Sequence, residues 1–398
     1  MVLTDARKPP EGYVSVQGPT CLELFAGAGG LALGLQSAGF VARSIVELDT
    51  RAVESLRLNA PNGDPWPVVS ADVRGLRFDT FGDVDLLAGG PPCQPFSIGG
   101  LRRGRHDDRD LLPEAIRAIR ESRPKTFLIE NVRGLTFPAA RDYFEYSLAQ
   151  LRHPSVPIRG TDEPRHLREL LAIPEDRQEY RVTWRLLNAA DFGVPQQRVR
   201  LFIIGIRRDL PAWEWPVPTH SQTALLQALM GETYWDDHRV ARDVRTLARE
   251  NAMRAKSQTA ERSSGSEPWI TVRDVFDRLG PPGSRDGDVA HVEVAGARLY
   301  RKHKGSLLDF PAKTVKSGVH GTPGGEHIVV LDDGSHRYFT LRELAAFQTF
   351  PDEYRVPSLR SVAHRQLGNA VPVKLARALA RQLFPLVSSQ QGDSSGGG

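Results

Sequence analysis

Short apolar runs closed by glycine, proline or an acid recur through the first half of the chain, at 20–25, 44–46, 67–71, 84–88 and 126–129. Runs of this length without alternation predict buried parallel strands. Between them the apolar spacing lengthens to that of helices. Leu31, Leu35 and Ala38 fall on one face of a helix at 31–38, and similar patterns occupy 51–59 and 111–122. Alternating strands and helices predict an α/β fold built on an open, mostly parallel sheet. In such sheets the ligand crevice lies beyond the carboxyl ends of the strands. The residues there are Ala26-Gly27-Ala28-Gly29-Gly30, Glu47-Leu48-Asp49, Asp72, Gly89-Gly90-Pro91-Pro92-Cys93-Gln94 and Glu130-Asn131-Val132.

Further along, 154–178 is rich in proline and charge and reads as a surface excursion. Strands are expected at 180–186 and 199–206, with Arg198 and Arg200 alternating with apolar residues and so facing one side. From about residue 209 the alternation is lost, which predicts a second, smaller domain over 209–336. Periodicity returns in a helix at 340–347, where Thr340 and Glu343 stand in capping-box positions. Gln366-Leu367-Gly368-Asn369-Ala370-Val371-Pro372 then precedes a helix at 373–383. The expected division is therefore 1–208 with 337–387 as the main domain, 209–336 inserted, and a disordered Ser/Gln/Gly-rich tail at 388–398.

The length of 398 residues is enough for two domains, and a formal charge of +4 permits a polyanionic partner without demanding one. Two cysteines, Cys21 and Cys93, make neither a disulfide framework nor a set of thiolate metal ligands. A thiol meant to react needs a reducing compartment. With no apolar leader in residues 1–10 and no run long enough to span a membrane, the expectation is a cytoplasmic protein.

Most lone cysteines are small buried hydrophobes. Cys93, however, follows a strand and a stiff Gly-Gly-Pro-Pro turn at the crevice, where a thiol is placed for attack. The loop after it, Ser97-Ile98-Gly99-Gly100-Leu101-Arg102-Arg103-Gly104-Arg105, is glycine-punctuated and basic, suited to closing over a phosphate backbone. Gly27, Gly29 and Ala32 match G-x-G-x-x-G/A, and Glu47 stands where an acid grips ribose hydroxyls. Together with Asp72 they outline a nucleoside-shaped crevice. Trp213, Trp215, Trp235 and Trp269 could stack on bases, although tryptophans more often anchor cores.

Taken together, these blocks resemble the DNA (cytosine-5) methyltransferases of bacterial restriction–modification type, in that family's order and over nearly the whole chain. The resemblance implies a Rossmann-like methyltransferase sheet with an inserted target recognition domain, S-adenosylmethionine as cofactor, double-stranded DNA as substrate and no metal. It implies cofactor contacts by Phe25, Ala26, Gly27, Gly29, Gly30, Glu47, Leu48, Asp72, Val73, Pro92, Asn369 and Val371. Cys93, Glu130, Arg198 and Arg200 would be catalytic. Gln94, Ser97, Arg102, Arg103, Arg105 and Thr314 would touch DNA, Thr314 through a Lys313-Thr314-Val315 element. A monomer acting beside a functionally linked restriction endonuclease is also implied.

Chemistry explains these residue types. Cytosine C5 accepts a methyl group only after a thiolate adds to C6, so Cys93 would be the nucleophile. Charge gathering at N3 calls for a nearby proton donor, the part that falls to Glu130. The base must leave the duplex stack to reach the thiol. Two other readings stay open. One keeps the fold and takes tRNA as substrate; the other is a nicotinamide-dependent dehydrogenase, which accounts for Gly27, Gly29, Ala32 and Glu47 but not for Cys93, Glu130 and the arginines.

Overall fold

In the computed structural model, which describes residues 18–60, 65–92, 110–157, 162–242, 244–245, 249–250, 253, 265–299, 305–318 and 327–388, the early apolar runs join one seven-stranded sheet. Its strands are β1 (Thr20–Leu24), β2 (Val41–Glu47), β3 (Val68–Ser70), β4 (Leu86–Gly89), β5 (Thr126–Val132), β6 (Tyr180–Asn188) and β7 (Val199–Arg207). The order across the sheet is β3-β2-β1-β4-β5-β7-β6. The pairs from β3 to β5 are parallel, and β7 runs antiparallel to β5. In register, Leu24 pairs with Val46 and with Gly89, and Gly89 with Ile129, so four strand ends come to one edge of the sheet.

Between the strands lie α1 (Gly30–Gln36), α2 (Thr50–Leu58), α3 (Leu112–Ser122), α4 (Arg141–Arg152) and α5 (Glu163–Leu171). Leu22, Leu24, Leu87, Phe127 and Ile129 of the sheet share one apolar core with Ile116 and Ile119 of α3 and Phe144 and Leu148 of α4. Burying a side chain such as Phe127 contributes about 2–3 kcal/mol. Its ring lies over Gly205, its cross-strand partner, where an added Cβ would come within 2.1 Å of the ring. Only glycine leaves that space.

Three expectations change. Strand β1 stops at Leu24, because Phe25 takes the left-handed φ of 59° and turns the chain. The segment 154–178 is not merely a surface excursion. Asp162 caps α5 by accepting from the Arg165 backbone N–H, and Leu170 packs on Tyr146 and Ala149 while the charges face water. The last helix runs past Leu383 to Ser388 although it contains Pro385; the proline removes one N–H donor and crowds the turn before it, a cost confined to the end of the helix. The tail from 389 lies outside the described residues.

The chain divides into two compact units, 1–187 with 199–215 and 379–398, and 188–198 with 216–378. This line differs from the domain limits expected above, in that 337–378 fall with the second unit. That unit holds α6 (Gln222–Met230), α7 (Val272–Leu279), the antiparallel strands β8 (Ile328–Val330) and β9 (His336–Tyr338), α8 (Leu341–Phe347), α9 (Arg360–Asn369) and the start of α10 (Val373–Ser388). Thr340 and Glu343 form the expected capping box of α8. Trp235 and Trp269 are core anchors here, their indole N–H groups donating to the Leu229 carbonyl and to Asp191 at 3.0 and 2.9 Å. Neither ring is left to stack on a base.

Candidate active site

In the first unit the crevice is built by the turns at the carboxyl ends of β1 to β5. The left-handed turn at Phe25 leads into Ala26, whose N–H donates to the Val46 carbonyl at 3.3 Å, and into Gly27 and Gly29 at φ 55° and 78°. Glycine is the residue that takes such φ values without strain. A Cβ at Gly27 would meet nothing within 4 Å, whereas one at Gly29 would fall 2.8 Å from Leu56 Cδ2, so the turn is open at Gly27 and packed on the core at Gly29.

Glu47, at the end of β2, is held by three backbone N–H groups. Gly27 donates to Oε2 at 2.7 Å; Leu48 and Asp49 donate to Oε1 at 2.8 and 2.7 Å. The carboxylate thereby ties the glycine turn to the next strand end. Leu48 is exposed beside it, while Val73 is buried. Asp72 caps the turn Val73–Gly75 by accepting from the Arg74 N–H, and it also accepts from Arg74 Nε at 3.1 Å. That side-chain hydrogen bond, more than any other influence, holds the Asp72 carboxyl below the usual carboxylate range. Its carboxylate is therefore engaged from within its own turn.

Deeper in β1, Glu23 is buried and accepts from the Ala32 N–H. Burial raises its pKa well above the ordinary value, against that hydrogen bond, and the charge of Glu47 raises it further.

The second cluster centres on Glu130 of β5. Its carboxylate is buried, with Oε1 3.2 Å from Arg200 Nε on the neighbouring strand β7. Burial pulls the Arg200 guanidinium below its ordinary pKa, and the Glu130 charge works the other way. A Cβ at Gly90 would stand 3.1 Å from Glu130 Oε2, so the turn after β4 runs beside this carboxylate. Asn131 Nδ2 donates to the Pro91 carbonyl at 3.4 Å, and the Leu111 N–H donates to the Pro92 carbonyl at 3.0 Å. Pro91 and Pro92 are thus pinned on two sides. Gly90 and Asn131 carry no role in the sequence reading, although both flank residues that do.

Cys93, Gln94, Ser97, Arg102, Arg103 and Arg105 lie outside the described residues. Arg198, Thr314, Asn369 and Val371 belong to the second unit. Arg198 precedes β7 instead of lying in it, so the alternation with Arg200 does not hold as a strand pattern. Its buried guanidinium donates to the carbonyls of Val315 and Gly368 at 3.1 and 2.9 Å. The Thr314 hydroxyl donates to the Gln197 carbonyl at 2.7 Å. Asn369 is exposed at the end of α9 and Val371 is buried just after it.

The family model for C-5 cytosine-specific DNA methylases matches residues 20–153 and 160–385. The chain belongs to that family. It is accordingly a DNA (cytosine-5-)-methyltransferase that uses S-adenosylmethionine, and the dehydrogenase reading is set aside. Among its relatives is the Type II methyltransferase M.NgoMIV of Neisseria gonorrhoeae, 31% identical over 376 residues that span 93% of this chain and 99% of that protein. Another is the Type II methyltransferase M.Eco47II of Escherichia coli, 32% identical over 385 residues, 95% of this chain and 82% of that one. The crystal structure of S. pombe Dnmt2 methyltransferase superposes with a TM-score of 0.57 at 19% identity, covering 93% and 99% of the two chains. That last likeness concerns the fold alone.

The residues of the first unit suit the methylase cofactor. The glycine turn is open at Gly27, the Glu47 carboxylate stands at its side, and the buried acid Glu23 lies nearby on β1. An acid-lined turn of this kind fits a donor without pyrophosphate better than one that carries phosphates. Among the described residues no helix is long and apolar enough to cross a membrane.

Proposed function

We propose that the enzyme methylates C5 of a cytosine within a specific double-stranded DNA sequence, as the modification partner of a restriction or phage-defence system. The relatives named above are Type II methyltransferases, and they support that context. Bound S-adenosylmethionine supplies an electrophilic sulfonium methyl group. Gly27, Gly29, Gly30, Phe25 and Ala26 shape the turn that admits it, with Pro92, Asn369 and Val371 contributing from other segments. Glu47 takes the ribose hydroxyls, and Leu48 and Val73 flank the purine; Asp72 takes the adenine amino group after Arg74 yields it.

The Cys93 thiolate adds to C6 of the extruded base, forming an S–C6 bond and placing the electrons of the C5=C6 double bond on N3 and C5; once C5 carries the methyl group, loss of the C5 proton to solvent expels the Cys93 thiolate and restores the C5=C6 double bond. Glu130 donates a proton or hydrogen bond at N3, and Arg200 holds O2. The Glu130–Arg200 contact, buried beside the turn that leads to Cys93, is the observation that carries this reading. Arg198 and Thr314 serve from the second unit, and Gln94, Ser97, Arg102, Arg103 and Arg105 hold the duplex around the vacated stack. Residues 209–336 form the target recognition domain, because reading base edges needs a surface placed in the major groove. The protein acts in the cytoplasm, as a monomer.

Labelled methyl incorporation into DNA by wild type, Cys93→Ala and Glu130→Gln tests the chemistry. Both variants are expected to bind S-adenosylmethionine as the wild type does. Cys93→Ala should transfer no methyl group and Glu130→Gln should lose at least about 100-fold in kcat, within the usual contribution of a general acid. Undiminished incorporation by Cys93→Ala refutes the mechanism. Labelling of tRNA in place of DNA would favour the alternative substrate, and bisulfite sequencing of DNA from expressing cells gives the site methylated.

A further inference from the structure

In the first unit, the chain leaving β5 builds a feature to which the reaction scheme above gives no part. Two short 3-10 turns, Arg133–Thr136 and Pro138–Ala140, follow Val132 and lead into α4. They are held from within. Leu135 and Ala140 belong to the apolar core beneath the sheet, and the Thr136 hydroxyl donates to the Arg133 carbonyl at 2.9 Å. The N–H groups of Phe137 and Ala140 donate to the Gly134 and Phe137 carbonyls at 3.2 and 2.8 Å. Arg133 and Phe137 are left outside. Both are exposed, Phe137 at 42%, and the guanidinium carbon of Arg133 lies over the Phe137 ring, 5.8 Å from its centre.

A single exposed phenylalanine means little; its pairing with this arginine means more. Among the described residues Arg133 has no carboxylate partner. Arg74, Arg77, Arg141 and Arg165 of the same unit, exposed as well, are each paired with an acid. A guanidinium stacks through its flat face and donates from its rim. Resting on a ring therefore leaves its N–H groups free to grip a phosphate with two parallel hydrogen bonds.

Location decides which phosphate that is. Arg133 follows Glu130 by three residues, about 10 Å at the rise of a strand. Val132 pairs with Arg200 across the sheet, so Arg133 is the next residue beyond the Glu130–Arg200 contact. Each strand of a duplex carries a phosphate about every 3.4 Å along the axis. With the target base at Glu130, phosphates of its near neighbours on the same strand come within reach of Arg133.

We infer that Arg133 and Phe137 are a DNA contact at the rim of the active site. The guanidinium takes a backbone phosphate of the strand that carries the target cytosine, and the ring packs on the deoxyribose beside it. The inference rests on the reading of Glu130 as the group that meets the target base. Phosphate and sugar are the same at every base pair, so the pair adds affinity and register without reading sequence.

The test uses the full chain and a labelled duplex cut from the stretch of plasmid that bisulfite sequencing shows to be methylated. Fluorescence anisotropy gives its Kd from about 50 to about 200 mM salt. Arg133→Ala should weaken binding about tenfold at the low end and flatten the slope of log K against log salt by about 1. Arg133→Lys, which keeps the charge, should keep the slope. Phe137→Ala should also keep the slope and weaken binding about threefold. Arg165→Ala, which removes an exposed arginine of α5, is the control and should change neither. The Kd of S-adenosylhomocysteine by calorimetry should be the same in every variant, which separates a lost DNA contact from a lost fold.

An Arg133→Ala protein with the wild-type slope overturns the inference, and so does an Arg165→Ala protein that loses as much. Phenylglyoxal modification of the wild type, read by mass spectrometry, covers the case in which a variant does not fold. The duplex should shield Arg133 and leave Arg165 as it was; equal modification of Arg133 with and without DNA overturns the inference. A wild-type protein that binds the duplex and fails these tests overturns this inference alone, whereas one that does not bind it overturns the functional reading as well.

Discussion

Replacing Gly368 by alanine sets two effects against each other, and the geometry decides which is larger. Gly368 lies inside α9, where alanine is favoured over glycine by about 1 kcal/mol. The new methyl group, however, would sit 2.3 Å from Ser317 N, 2.4 Å from Lys316 C and 2.5 Å from Ser317 Cα. Ordinary contacts begin near about 3.5 Å, so one backbone must retreat by about 1 Å from the other. None of these atoms belongs to a side chain that can rotate away. Overpacking against movable groups costs about 1–3 kcal/mol, and a backbone obstacle places the cost at the upper end of that range or beyond. Retreat of residues 315–317 also stretches the Arg198 bond to the Val315 carbonyl and the Gln196 bond to the Val315 N–H.

The net expectation is a loss of about 2–3 kcal/mol, a fall of about 4–12 °C in the melting transition of a unit of this size. Thermal unfolding followed by far-ultraviolet circular dichroism reads it. Gly75→Ala is the control, because a Cβ there meets nothing within 4 Å and its φ is not in the left-handed region. That variant should melt within about 1–2 °C of the wild type, on the scale of a neutral surface change. A Gly368→Ala protein that melts with or above the wild type would refute the backbone contact.

Glu47→Gln replaces one of two accepting oxygens by a donor facing a backbone N–H, so the glycine turn loosens. S-adenosylmethionine affinity measured by calorimetry should fall at least tenfold, the equivalent of about 1.4 kcal/mol; an unchanged Kd contradicts the assignment. Glu23 has a folded pKa raised by burial, so the stability it allows is whole below its ordinary 4.5 and declines as pH rises toward the folded value. Glu23→Gln should therefore gain in melting temperature relative to wild type as pH rises above about 4.5, and parallel curves would show that Glu23 is not held protonated. His238, bridged to Asp274 and Asp277, has its pKa raised chiefly by the Asp274 hydrogen bond. Its contribution is present below about 6.5 and lost as pH rises through the folded value, so His238→Phe should flatten the fall of the denaturant midpoint as pH rises above about 6.5; a wild-type slope in that variant would sink the assignment.

How much of the fold a sequence discloses depends on the range of the interactions that make it. The strands β1, β2, β4 and β5 announce themselves because burial on both faces makes each a continuous apolar run, and the residue after the run is at once a strand end and a crevice residue. Glu47 and Glu130 are legible for that reason alone. Asp72 is legible as a strand-end acid, yet its first partner is Arg74, two residues on, a turn bond that Asp-x-Arg spacing could suggest. The end of β1 falls one residue earlier than its apolar run because an aromatic residue at a positive φ has no sequence signature, glycine being the usual occupant.

One buried polar junction of the second unit is invisible for a different reason. Gln196 and Gln348 are polar residues beside turns, and such residues are read as solvated. They are buried because the Phe347 and Leu367 carbonyls and the Val315 N–H satisfy them, and Gln196 and Phe347 stand 151 positions apart along the chain. Nothing local distinguishes a glutamine that will face water from one that will meet a carbonyl from so distant a segment. The same holds for 337–378, expected to belong with the sheet on the strength of their regular helices. Helical periodicity states that an apolar face exists; it does not state which surface covers it. That choice is made by Gly368, whose missing side chain admits the backbone of 316–317, and by two buried amides whose partners lie on these segments.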